Sequence, residues 1–357
     1  MTIYSPIVKS KRGEATAIFN LSQSVKDNIA PFFDILAMEE GVLGEEKVQE
    51  HLEKQALNII DAWSDQGTCY IDFFDLASSA RCLNGVHPLT FVFGHVMCQK
   101  VRPIPVVGIE RDIPYKMAVR NLIYEGVEAI ALRLGKDDIQ LPSSLCAKVS
   151  SLIYEIGATD LPLHVFIDFR SLEVMSSGEV EKQVRRVLEE LKKINPKRIV
   201  FCASAIAPSM ALFKKDSINR IERTDYLIWR NLVKSVLNLD FSDYGVIHPS
   251  YIDIDPRLLK PSAKIRYTTS SGWIIIKGSC WRDDTSQHHE LSKMLSDQQE
   301  FRGDDSWGGN YIVSCAEGRP SYGSLETWVS VDQNNHINQT VKQILRISVA
   351  VRHNEYN

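Results

Sequence analysis

The chain has 357 residues, 44% of them hydrophobic and 24% charged, enough to bury a full core and well inside the globular range. A formal net charge of −4 supplies no broad positive field, which excludes a bulk duplex nucleic-acid binder but leaves room for a local basic pocket. No run reaches the roughly 20 apolar residues of a membrane span, and the opening MTIYSPIVKSKRGE has no apolar leader, so a cytoplasmic protein without membrane contact is expected.

From residue 3 to residue 248 one pattern recurs eight times: a short apolar run, a polar residue at its end, then a polar or helical stretch. The runs at 3–9, 29–36, 68–75, 104–110, 127–134, 162–169, 197–204 and 240–247 are rich in Ile, Val, Leu and Phe and predict strands. Amphipathic helical patterns lie between them, clearest at 45–63, 113–126, 142–157, 177–195 and 222–237. The economical topology is parallel strands with crossover helices, an α/β fold of the (β/α)8 TIM-barrel type over residues 1–262. Between the third and fourth strands the crossover helix has the weakest signal, because SSARCLNGVHPLTFVFGHVMCQK mixes periods and carries a central proline that leaves room for a rearranged or missing helix.

The cadence changes after the eighth strand, and residues 263–357 read as an α+β extension that caps or flanks the barrel mouth. Residues 263–278, AKIRYTTSSGWIIIKG, predict two strands around a Ser-Ser-Gly turn. Helical stretches follow near 284–300 and 335–349, and the Gly- and Trp-rich segment between them predicts an ordered loop platform.

Seven scattered cysteines, never spaced C-x-x-C, fit reduced thiols better than a disulfide framework or zinc site, and no structural metal is expected. The adjacent pair His288 and His289 reads as part of a solvated helix face. Neither a Walker loop, a strand-led G-x-G-x-x-G, a nucleophile elbow nor H-E-x-x-H occurs.

Barrels of this type place their chemistry on the loops after the C-terminal strand ends, and residues two apart on a strand share a face. Ala129, Ala131 and Arg133 then align on the fifth strand, and His164, Phe166, Asp168 and Arg170 on the sixth. Val106, Gly108 and Glu110 share a face on the fourth strand, Tyr70, Asp72 and Phe74 on the third, Phe32, Asp34 and Leu36 on the second, and Ile7, Lys9 and Lys11 on the first. Opposite charges therefore converge on one rim. Lys9, Lys11, Arg133 and Arg170, joined by Arg266 and Tyr267 of the hairpin, are candidate ligands for a phosphate or carboxylate. Asp72, Asp168 and Glu110 are the candidate acids and bases, and two of them facing one cavity would suit magnesium. The plainer alternative is a buried ion-pair network in which these carboxylates simply neutralise the cations. Tyr267 and Trp273 in the hairpin, and Trp281, Trp307, Trp328 and Tyr322 in the cap, read either as stacking surfaces for a ligand or as core.

YSPIVKSKRGEATAI followed by IAPFFDI resembles the opening of the beta protein family of phages and bacteria, whose pattern reads Y-x-P-x-x-K-x-K-x-G-E and continues into a proline and an acid in the second strand. Tyr4, Pro6, Lys9, Lys11, Glu14, Pro31 and Asp34 stand at the matching places, and RYT at 266–268, Trp307-Gly308 and NNHI at 335–338 are similar to the family's C-terminal signatures. Asp34 departs from the more usual glutamate, and Val329-Ser330 follow Trp328 where the resemblance implies an arginine. The resemblance implies no established reaction, and by association it implies a role in phage–host conflict.

Three functions are consistent with these readings. One is an enzyme, a hydrolase or lyase acting on a phosphorylated or nucleotide-like small molecule, with Asp72 and Asp168 as acid and base. Another is a sensor that binds such an anion unchanged. The last is a non-catalytic subunit of a defence or phage complex that docks a protein partner around Trp307 or Trp328.

Overall fold

The computed structural model describes residues 3–38, 44–236, 238–250, 260–319 and 322–354. The chain opens with β1 (Tyr4–Lys9), α1 (Arg12–Phe19), the single turn α2 (Gln23–Lys26) and β2 (Phe32–Asp34). Next come α3 (Glu45–Trp63), β3 (Thr68–Asp72), α4 (Pro88–Met97), β4 (Arg102–Val107), α5 (Ile113–Tyr124) and β5 (Ile130–Leu134). They are followed by α6 (Lys136–Gln140), α7 (Leu145–Ile156), β6 (Leu163–Ser171), α8 (Ser177–Leu191) and β7 (Arg198–Ser204). The chain then runs through β8 (Ser217–Glu222), α9 (Thr224–Leu232) and β9 (Leu239–Asp243). The last elements are β10 (Ser262–Thr268), β11 (Gly272–Cys280), α10 (His288–Ser296), α11 (Trp307–Ala316) and α12 (Leu325–Asn354).

Strands β1 to β7 and β9 close into a parallel barrel, with β9 hydrogen-bonded to both β7 and β1. Alternation of side chains across each strand splits the apolar residues into two cores. Phe32, Tyr70, Val106, Ala131, Phe166 and Val200 fill the barrel, where the Phe166 ring meets Tyr70 and Phe32 edge-on at 4.8 and 5.0 Å. The larger cluster packs the outward strand faces against the helices, as with Val48, Leu52, Ala56 and Ile59 of α3.

The uncertain region before β4 does hold a helix. Pro88 starts α4 at a position that needs no amide hydrogen, and the His87 ring nitrogen accepts from the Leu89 N–H, so the proline opens the helix instead of breaking it.

Strand β8 leaves the barrel and completes an antiparallel three-stranded sheet in the order β10-β11-β8, although it lies within the span whose cadence reads as barrel. The predicted loop platform contains a helix, α11, capped by the Ser306 hydroxyl. Helix α12 begins ten residues before its predicted start and runs, buried, against α1, β1, β10 and α11. Its polar run from Asp332 to His336 is almost fully buried because each side chain has a partner outside the helix. The Asn334 amide donates to the Ala17 carbonyl, Gln333 accepts from the Val246 N–H, and His336 pairs with Asp243 at 2.9 Å. His288 is also buried and stacks on Trp328 at 4.3 Å, which corrects the solvated-face expectation; the apolar side of α10 carries it inward. Among the described residues, no helix is long and apolar enough to cross a membrane.

Candidate functional site at the barrel mouth

The C-terminal strand ends deliver a charged cluster whose centre is Arg133, on β5. Its Nη1 donates to Asp34 at 2.9 Å and Asp72 at 2.7 Å, Nε to Asp168 at 2.8 Å, and Nη2 to the Tyr244 hydroxyl at 2.6 Å. That hydroxyl donates in turn to Asp168 at 2.6 Å. Around this core the Lys9 ammonium bridges Asp34 and Asp75 at 2.9 and 2.6 Å, and Arg111 holds the other oxygen of Asp72. The Arg170 N–H donates to the second oxygen of Asp168 at 2.8 Å. Four cations, Lys9, Arg111, Arg133 and Arg170, thus face four carboxylates, Asp34, Asp72, Asp75 and Asp168. Burial works to raise Asp34, but Arg133 and Lys9 outweigh it and hold its carboxyl at about 2. Nearby Glu14, buried and accepting the Lys9 N–H at 2.8 Å, is instead pushed up by burial to about 7.

Two cavities flank this network. The first, about 620 Å³, is lined by Phe74, Glu110, Arg111, Tyr115, Asp168 and Arg170 among others. Phe74, 48% exposed, has three guanidiniums near its ring, those of Arg111, Arg133 and Arg170 at 5.4, 5.1 and 4.7 Å. Arg170 sits at an irregularity in the β6–β7 register with a left-handed φ of 55°, a strained backbone for a residue with a Cβ. Its Nη2 donates to the Pro249 carbonyl at 2.9 Å, while its Nη1 is buried with no hydrogen-bond partner among the described residues. Glu110 lies just beyond β4, exposed on the cavity rim.

The second cavity, about 450 Å³, lies between β1, α1 and the C-terminal layer, and Lys9, Lys11 and Arg266 line it. Arg266 is tied to Asp332 at 2.9 Å and to the Val246 carbonyl at 2.9 Å, and Lys11 is exposed at the start of α1. The predicted residues are therefore divided: the candidate ligand contacts Arg133 and Arg170 and the candidate acids or bases Asp168 and Glu110 border one cavity, and the candidate contacts Lys9, Lys11 and Arg266 border the other. Asp72 lies in the ion-pair network and lines neither cavity. Tyr267 points to the opposite side of β10 from Arg266 and packs in the cap core, its hydroxyl accepting from the Arg302 N–H at 2.9 Å. Trp328, 2% exposed, belongs to the same core.

The ion-pair alternative accounts for Arg133, whose guanidinium occupies the point on which Asp34, Asp72 and Asp168 converge. Among the described residues no three His, Cys, Asp or Glu side chains are placed to hold a metal ion. The network also contains Asp75, Arg111 and Tyr244, none of which the sequence singled out. The first two lie in loops that carry no periodicity, and only the inward phase of β9 could have indicated Tyr244.

A search of curated proteins finds no match to this chain. The model of the Beta protein family matches residues 4–342, nearly the whole length and including the strand ends that build the charged mouth, and the chain belongs to that family.

Proposed function

We propose that the first cavity binds a small anionic, nucleotide-like molecule, with Arg170 and Arg111 as its cationic contacts and Phe74 as a flat wall for a ring. One observation carries this reading: a buried guanidinium nitrogen of Arg170 has no acceptor among the described residues beside a cavity large enough for such a ligand, and the strained backbone there is held by Asp168. Binding is favoured over proton transfer because Asp72 and Asp168 already accept from guanidiniums, whereas Glu110 keeps an exposed carboxylate at the rim. The setting we propose, conflict between phage and host, rests on the family relationship alone.

Native mass spectrometry of protein isolated from cells, followed by denaturation, tests the reading. A released phosphate-bearing compound is expected, and Arg170→Ala should weaken its binding by about 10- to 150-fold, the loss of a charge-assisted hydrogen bond. A ligand-free chain that also fails to bind adenosine or guanosine 5′-phosphates at millimolar concentration overturns it. Plaque counts with wild type and Arg170→Ala test the setting, equal counts arguing against it.

A further inference from the structure

The second cavity holds an amine that the ion-pair network leaves unengaged. Lys264, on β10, lies two residues before Arg266 and directly across the antiparallel pair from Lys277. Arg266 is committed to Asp332 at 2.9 Å, and the Lys277 ammonium donates to the Phe213 carbonyl at 3.3 Å. Lys264 is half-buried and forms no ion pair with any described residue. Two cations therefore adjoin it, Asp332 of α12, one oxygen of which is held by Arg266, opposes their effect, and His288 of α10 is buried nearby. The cavity wall is largely apolar on the remaining sides, through Ile247, Leu325, Trp328 and Val329, with Lys9, Lys11, Glu14 and Glu326 as its other charged members.

From this geometry we propose that Lys264 captures a carbonyl compound: its neutral amine adds to an aldehyde or ketone of a small, partly apolar ligand seated in the second cavity, forming an imine. The nitrogen lone pair makes the new C–N bond while the carbonyl π pair moves to oxygen. Both amine hydrogens then leave with that oxygen as one water molecule, and no oxidant, reductant or further reactant enters. Burial depresses the ammonium most, Arg266 next, and together they bring it to about 8. At pH 7 about a tenth of such amines are neutral, against roughly 1 in 2,500 for an ordinary lysine. This inference concerns a different cavity from the proposed nucleotide site and stands or falls separately.

The test treats the full chain at pH 7 with butyraldehyde, which is uncharged, and in parallel with pyridoxal 5′-phosphate, then reduces with borohydride and maps the modified lysines. Lys264 should be modified by both reagents at least tenfold faster than Lys192 and Lys215, which are 69% and 55% exposed. Its rate should rise between about pH 7 and 9 and then level off. The proposal is overturned if the exposed lysines react first, or if the Lys264 rate still climbs at pH 10. Modification by pyridoxal phosphate but not by butyraldehyde also overturns it, because the phosphate rather than the amine would then direct the reaction.

Discussion

Replacing Arg133 with methionine removes the group that three buried aspartates share while keeping most of the side-chain volume. The substitution deletes charge-assisted bonds to Asp34, Asp72 and Asp168 and one bond to Tyr244. Each charged bond contributes roughly 1.5–3 kcal/mol, and the guanidinium's own desolvation cost is relieved by its removal. The remaining partners are unequal. Asp34 keeps Lys9 and Asp72 keeps Arg111, but Asp168 is left with the Tyr244 hydroxyl and the Arg170 N–H. A net loss of about 3–5 kcal/mol is expected at pH 7.5, as when one partner of a buried ion pair is removed. In a chain of this size that lowers the thermal midpoint by about 4–7 °C. In the variant Asp34, held at about 2 by Arg133 and Lys9 against its burial, should become easier to protonate, since it loses the larger of these two cationic influences. A depressed carboxyl contributes stability that is present above its unfolded value and lost as pH falls, and the variant lacks part of that contribution, so the difference from wild type should shrink by about 1 kcal/mol between pH 7.5 and 4. Urea unfolding of both proteins at the two pH values measures this. A difference under about 1 kcal/mol at pH 7.5, or one that grows on acidification, would refute the view that Arg133 neutralises the mouth.

Arg170→Gly relieves a left-handed backbone that glycine adopts freely, so it should be about 1 kcal/mol more stable than Arg170→Ala while losing ligand as completely; equal stabilities would show that the φ of 55° stores no strain. Glu14→Gln tests the carboxyl raised to about 7: as an acid raised above its unfolded value, it contributes stability that is present below pH 4.5 and lost as pH rises through 7. The glutamine variant should therefore match wild type at pH 4.5 and exceed it by roughly 3 kcal/mol at pH 8, and thermal midpoints that stay parallel across that range would contradict the assignment. Gly272→Ala places a Cβ 2.1 Å from the Ile221 carbonyl oxygen, where β11 and β8 meet backbone to backbone. A loss of about 1–3 kcal/mol is expected by calorimetry, and an unchanged midpoint would mean that the pair yields at little cost.

The barrel could be read from sequence because its signal is local. Apolar runs of strand length ending in a polar residue, separated by stretches of helical period, need only neighbouring residues to be recognised, and alternation then assigns each inward face. Arg133 and Asp168 were found that way, as were Lys9, Asp34 and Asp72. The same locality misled where partners are distant. The polar run of α12 has no apolar period of its own, and its burial depends on acceptors and donors supplied by α1, β9 and the hairpin. Strand β8 resembles any other polar surface segment until β11 pairs with it.

The pairing of charges was likewise settled only in three dimensions. Arg133 reaches Asp34 across 99 positions of chain and Tyr244 across 111, and no spacing rule links such residues. Nor could sequence show that Lys9, Lys11 and Arg266 border a different cavity from Arg170. Composition and periodicity determined that this chain closes a parallel barrel with charges at its mouth, because hydrophobic alternation acts residue by residue. Tertiary packing alone decided which charges neutralise one another and which cavity each borders, because that depends on distances between segments that the chain brings together only on folding.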